Sequence, residues 1–266
     1  MMLAALSLWA LLMQAAPQTN EVVVPVFGKG AGGSDIQLSV DGTLVEVVKE
    51  KAPLRFVLLM DVSGSSRPAQ QFLIKQVARS FEAFTAGGKS RGVLGVFNDR
   101  IAMAKNYMTA DEVAEVTKSV AFRGGSAVID AIGDACKQLT VLPGGKNDRK
   151  LIVLFTDGMD NASLHDLPDT EKCLRSNDIS VLPVGILDPG IGGWKRGEEL
   201  LKRLAKVGGT DAVLLRNPTD VTQTLNELVD SEIVLRGAVP IEKGKTVSIK
   251  VESKEKLAYP ANVMVH

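Results

Sequence analysis

The sequence predicts an α/β protein: a doubly wound, mostly parallel sheet with helices on both faces, joined to a small β module built from the two chain ends. Three observations predict it. Between Leu54 and Arg236, short and nearly continuous apolar runs alternate with helical patterns, as parallel strands covered on both faces and linked by helices require. A period of two occupies the flanking stretches, from Glu21 to Lys49 and again after Gly237. With 266 residues, 45% of them apolar, the chain is also long enough to bury a full core.

Taken in order, Met1 to Ala16 is apolar except for Ser7 and Gln14. As a helix it reaches about 24 Å, short for a membrane span and suited to a secretory signal. The expectation is export, to the periplasm or the outside medium. The stretch lacks Lys and Arg, and Gln14 and Pro17 fit the cleavage rule poorly. An uncleaved N-terminal anchor, the one case in which membrane contact is expected, is therefore the alternative, and the cleavage point stays open.

From 21 to 52 the chain reads as a β segment. Ile36, Leu38 and Val40 share a face, Asp41-Gly42 makes a two-residue turn, and pairing across it sets Val40 opposite Thr43, Leu38 opposite Val45 and Ile36 opposite Val47.

The α/β region, 54–236, carries buried-strand runs at Phe56–Met60, Gly92–Phe97, Leu151–Phe155, Val181–Ile186 and Ala212–Leu215. Helical stripes lie between them: Leu73, Val77, Phe81 and Phe84; Val128, Ile132, Ala135 and Leu139; Leu200, Leu201 and Leu204; Val221, Leu225 and Leu228. Thr109 with Glu112 has the form of a capping box, and Gly208-Gly209 closes a helix. In the final segment, 237–266, Thr246–Val251 and Leu257–Val265 read as strands around the charged turn 252–256, and this segment is expected to pack with 21–52.

In such a sheet, ligands bind beyond the carboxyl ends of the strands. There the first buried strand runs into Asp61-Val62-Ser63-Gly64-Ser65, three oxygen side chains at alternate positions. A second Asp ends another central strand in Phe155-Thr156-Asp157-Gly158, and Arg123-Gly124-Gly125-Ser126 places a further hydroxyl just before a helix. Carboxylates and neutral hydroxyls are hard ligands suited to Mg2+ rather than to Zn2+ or Cu2+.

These residues resemble the metal-ion-dependent adhesion site of the von Willebrand factor A family, an Asp-x-Ser-x-Ser followed by a Thr and then an Asp. Asp61, Ser63, Ser65 and Asp157 match it, and Ser126 stands where the family has Thr. A hydroxyl remains at that position, but the methyl that restrains its rotamer is gone. Leu204–Gly209 and the β segments at both ends also resemble secreted bacterial members. The resemblance implies a six-stranded sheet in the order 3-2-1-4-5-6, with an antiparallel edge strand at Ile101 to Tyr107. It further implies that Asp61, Ser63, Ser65, Ser126 and Asp157 hold one Mg2+ or Mn2+, whose open position takes an Asp or Glu of a protein partner.

Other chemistry is set aside on the same residues. The 31 Lys plus Arg balance 31 Asp plus Glu, so no basic field collects nucleic acid. Two Cys and two His make no zinc finger. Gly28–Gly33 fits G-x-G-x-x-G, but the next segment alternates as a hairpin instead of opening a helix. Ala83–Ser90 fits a relaxed phosphate loop in helix-to-strand order, the reverse of what phosphate binding needs. Ser63 and Ser65 sit in no nucleophile elbow, and His165, the internal histidine, reads as a solvated loop residue.

The expectation is a binding module without enzymatic activity. A metal-independent structural or assembly protein on the same fold is the alternative, and phosphoryl transfer through Asp61 is the remote one. Cys136 and Cys173 fall on helices covering one face of the sheet; the pattern favours two buried thiols, with a disulfide as the alternative. Trp194 either anchors a partner or fills space under its loop. The partner's identity and the oligomeric state are not legible.

Overall fold

Four short strands lead into the α/β region: β1 (Asn20–Val26), β2 (Gln37–Val40), β3 (Thr43–Val45) and β4 (Val47–Glu50). The region itself runs β5 (Leu54–Asp61), a 3-10 turn (Arg67–Ala69), α1 (Gln70–Thr85), β6 (Ser90–Phe97), β7 (Ile101–Met103), α2 (Ala110–Ser119), α3 (Val128–Val141) and β8 (Arg149–Thr156). It continues through α4 (Leu167–Ser176), β9 (Ile179–Ile186), α5 (Trp194–Gly208), β10 (Val213–Leu215) and α6 (Thr222–Ser231), after which β11 (Ile233–Val239), β12 (Thr246–Glu252) and β13 (Asn262–Met264) close the chain. The computed structural model describes residues 19–28, 31, 36–145, 147–190 and 192–266. The leader expected at 1–16, and all of the Gly28–Gly33 run except Gly28 and Ala31, lie outside the described residues.

The central sheet has the order β10-β9-β8-β5-β6-β7, parallel except for β7, which is the order 3-2-1-4-5-6 expected. Every residue of β5 is buried, and alternate side chains serve two cores. Phe56, Leu58 and Met60 pack with Leu73, Val77 and Phe81 of α1 and Leu225 of α6. Val57 and Leu59 face Ile132 and Leu139 of α3 and Leu201 and Leu204 of α5. This double burial explains why the strand is a continuous apolar run. The capping box at Thr109 and Glu112 forms, and Gly209, at φ +71°, closes α5.

Several details differ from expectation. The antiparallel edge strand ends at Met103 and does not reach Tyr107. Beyond it the chain follows β6 through bonds from Ala104 N to Leu94 O and from Met108 N to Gly92 O. The hairpin forms with Val40 opposite Thr43 and Leu38 opposite Val45, but Val47 pairs with Gly237 and not with Ile36. A single exposed residue, Glu46, separates β3 from β4 and lets the strand change sheets. In the final segment only Asn262–Met264 forms a strand within the expected Leu257–Val265, because Pro260 brings no N–H to a ladder.

The sequence also gave no separate signal for β11, which is the centre of a three-stranded sheet, β1-β11-β4. A four-stranded sheet, β13-β12-β2-β3, completes the terminal module around Val22, Val24, Leu38, Leu235 and Val247.

A buried arginine ties the module to the α/β region. Arg149 donates to the carbonyls of Ala52, Val229 and Glu232 and pairs with Glu232 Oε2 at 3.0 Å. Burial drives the Glu232 carboxyl up to about 7, with Arg149 opposing the shift. Cys136 of α3 and Cys173 of α4 form a disulfide, with Cα atoms 6.4 Å apart. The two helices lie side by side on one face of the sheet, so the bridge replaces the favoured pair of thiols. Among the described residues, no helix is long and apolar enough to cross a membrane.

Candidate functional site

β5 and β8 are neighbours in register, Met60 beside Phe155, so Asp61 and the Thr156-Asp157 pair leave the same edge of the sheet side by side. This is the point where the strand order reverses, because β5 begins one half of the sheet and β8 the other. The loop carrying Ser126 is sewn to the loop carrying Ser63 by backbone bonds. Arg123 N donates to Val62 O at 2.8 Å, and Gly64 N donates to Gly124 O at 3.0 Å. Asn98 braces the Ser126 loop, with Nδ2 on Arg123 O and its carbonyl accepting from Ala127 N.

The five expected residues stand as follows. Asp61 is wholly buried; its Oδ1 accepts from Ser63 N at 2.8 Å, and its Oδ2 accepts from Ser126 Oγ at 2.9 Å. Ser63 Oγ lies 3.2 Å from Ser65 Oγ. Ser63 and Ser126 are buried and Ser65 is half-buried. Asp157 is 8% exposed; its Oδ1 accepts from Met159 N at 2.9 Å, while its buried Oδ2 has no hydrogen-bond partner among the described residues.

Three supporting groups escaped the sequence reading. Thr156 Oγ1 donates to Asp61 Oδ2 at 2.5 Å, and Ser66 Oγ accepts from Ser63 Oγ at 3.4 Å. Asn161 Oδ1 accepts from Ser126 N at 2.8 Å, while Ser126 O accepts from Asn161 N and Ala162 N. Thr156 had a signal, a hydroxyl beside the acid at a strand end. Asn161 had none, since it reaches Ser126 only through folding. The loop that carries Asn161 also caps α3, with Asp160 Oδ1 accepting from Val128 N. His165 is exposed and pairs with Asp130. Trp194 starts α5, half-buried, with Arg216 stacked 5.5 Å from its ring centroid.

Burial drives the Asp61 carboxyl up to about 6; hydrogen bonds from Ser63 and Thr156 oppose the shift, and the nearby Asp157 charge adds to it. Burial raises Asp157 too, against the Ser65 hydroxyl and Met159 N–H. Two desolvated carboxylates side by side, one with an orphaned oxygen, leave a deficit of positive charge at the carboxyl edge of the sheet. Among the described residues no three His, Cys, Asp or Glu side chains are grouped so that they could hold a metal ion. Any ion here would therefore lean on hydroxyls and on ligands from outside the chain.

Residues 56–230, well over half of the chain, match the von Willebrand factor type A domain. The chain belongs to the von Willebrand factor A family. Among solved structures, one similar fold is BatB from Bacteroides thetaiotaomicron, at 14% identity and TM-score 0.55, covering 66% of this chain and 97% of that one. Another is a von Willebrand factor type A protein from Catenulispora acidiphila, at 11% identity and TM-score 0.56, covering 95% and 74%. The pilus adhesin SpaC from Lactobacillus rhamnosus GG, in an open conformation, aligns at 10% identity and TM-score 0.53, covering 90% and 48%. No curated protein sequence is similar enough to count as a relative.

Proposed function

We propose that this von Willebrand factor A domain is a non-enzymatic, metal-dependent interaction module. Asp61, Ser63, Ser65, Ser126 and Asp157 would hold one Mg2+ or Mn2+, directly or through water, and a protein partner would complete the sphere with an Asp or Glu. The observation that carries this is Asp157 Oδ2, a buried carboxylate oxygen without a hydrogen-bond partner among the described residues, beside a second buried carboxylate and three hydroxyls. A divalent cation answers both the orphaned oxygen and the mutual repulsion of the acids. Bound there, it would supply an electrophilic position for one more anion, since hydroxyl ligands leave its charge only partly offset.

The chain's own part is preorganisation. Ser63 N fixes one Asp61 oxygen, and Ser126 and Thr156 orient the other. The backbone bonds between the two loops keep Ser126 within reach. Export is part of the proposal. A disulfide suits an oxidising compartment, and the fold is shared with a protein described as a pilus adhesin and with an aerotolerance-related membrane protein from Bacteroides fragilis.

A second reading, a metal-independent assembly module, is favoured by one observation: Ser126 Oγ already donates to Asp61, so part of the cluster is satisfied without an ion. Titration calorimetry of Mg2+ and Mn2+ into the chain and into Asp157→Ala separates the two readings. A binding heat present in the first and absent in the second supports metal use. Equal heats refute the five-residue site as drawn, and no heat from either favours the assembly module.

A further inference from the structure

Beside the cluster, the surface opens into a cavity of about 190 Å3 between the 3-10 turn and the ends of β9 and β10. Pro68, Ala69, Leu73, Ile186, Leu187 and Pro218 form its apolar walls, and Ser65 and Asp157 close one side. Two residues of the cluster are thus also cavity wall, so a ligand held at the cluster brings its neighbouring atoms over the opening. The volume is below the roughly 300 Å3 at which small-molecule sites begin and large enough for one medium-sized side chain. Water inside such walls finds few partners, and an apolar group displaces it favourably.

Charge at the rim points to the sign of the occupant's surroundings. Arg216 lines the cavity and stacks on Trp194, and Lys195 lies over the same ring at 5.8 Å. Glu198 of α5 lies near both cations and is paired with Lys202. Of the two acids in the lining, Asp157 belongs to the cluster and Asp188 has Oδ1 engaged by Gly190 N at 2.8 Å. Arg216 thus sets one cation at the edge of the cavity, where it complements an acidic segment.

We propose that the partner presents an acid-apolar pair: a carboxylate for the ion and, directly beside it in the same peptide, a Leu-sized side chain that fills the cavity. The inference rests on the metal-and-carboxylate reading and adds a second determinant to it. Neither the acid nor the apolar group alone would select a partner strongly; together they define a dipeptide.

The test uses the full chain with Mg2+ and four synthetic peptides: acetyl-Gly-Asp-Leu-Gly-amide, acetyl-Gly-Leu-Asp-Gly-amide, and the same two with Gly in place of Leu. One Leu peptide should bind at least about ten-fold more tightly than its Gly counterpart, the gain expected for burying a Leu-sized side chain. Ala69→Met, which fills the cavity from within, should erase that preference while leaving the Mg2+ titration unchanged. If that variant misfolds, Ile186→Ala should shift the preference from Leu to Phe, read with the same two peptides carrying Phe in place of Leu. Equal affinities for Leu and Gly peptides, with the Mg2+ heat intact, overturn the pair and spare the metal reading. A Leu preference that survives chelator and Asp157→Ala also overturns it, because the side chain would then dock without the acid. Absence of any Mg2+ heat overturns the metal reading itself, and the pair with it.

Discussion

The bridge between Cys136 and Cys173 makes the most quantitative prediction. It joins α3 to α4 across a separation of 37 residues. Cross-linking a loop of that size removes about 13 cal/mol/K of chain entropy from the unfolded state, or about 4 kcal/mol at 25 °C, before any offset from native distortion. For a chain of this length each kcal/mol moves the melting temperature by roughly 2–4 °C, so the loss should amount to roughly 8–15 °C. The perturbation is Cys136→Ala with Cys173→Ala, because Ala leaves no polar group in the wholly buried site of Cys136. Urea unfolding of the oxidised wild type, the reduced wild type and the double variant gives the comparison. Reduced wild type and the variant should agree with each other and fall well below the oxidised protein. Two free thiols in the native oxidised protein, or a midpoint indifferent to reduction, would refute the reasoning and restore the pair of buried thiols.

Three further outcomes are expected. In chelator, the native state keeps the Asp61 proton up to about pH 6 while the unfolded chain releases it near 3.8. The native form therefore binds more protons in that window, and stability falls as pH rises through it, by about 3 kcal/mol in all. Glu232, pushed up to about 7, acts with the same sign. Asp61→Asn should shrink the pH dependence of the urea midpoint without abolishing it, and Mg2+ affinity should drop below about pH 6 as the proton competes; an unchanged pH profile in the variant counts against the shift. Arg149→Ala should cost about 3–5 kcal/mol, since it strips the partner from a buried carboxylate and three carbonyls, and a near-wild-type midpoint would show that the pair contributes little. Gly158 sits at φ +78°, and a Cβ there would stand 2.7 Å from Gly197 O. Gly158→Ala should cost at least about 1–2 kcal/mol and weaken Mg2+ binding by moving Asp157, whereas Gly87→Ala, which meets open space, should stay within about 0.5 kcal/mol.

The α/β region was largely legible because its strands are buried on both faces. Leu58 and Leu59 must both be apolar when each faces a different core, and that demand writes a continuous run into the sequence. Thr109 with Glu112 and Gly209 were legible for a local reason, since caps depend on residues a few positions away. The terminal module was legible only in outline. Val47 alternates with Val45 as a continued hairpin would, yet it joins β11, and a period of two cannot say which strand is the neighbour.

The candidate site divides in the same way. The sequence by itself determined which side chains could serve: carboxylates and hydroxyls at strand ends, where the covered sheet stops and polar groups are tolerated. It did not determine that Asp61 and Asp157 would be buried together, that Ser126 would donate to Asp61, or that Asp157 Oδ2 would be left without a partner. Those facts depend on strand order, on the Val62–Arg123 and Gly64–Gly124 bonds, and on Asn161 reaching back to Ser126. The same holds for Cys136 and Cys173: the helix pattern put both on one face, and only the packing of α3 against α4 brought the sulfurs within bonding distance. Local propensity and burial act over a few residues and can be read along the chain. Proximity between distant segments arises from how the layers pack, and only the tertiary structure decides it.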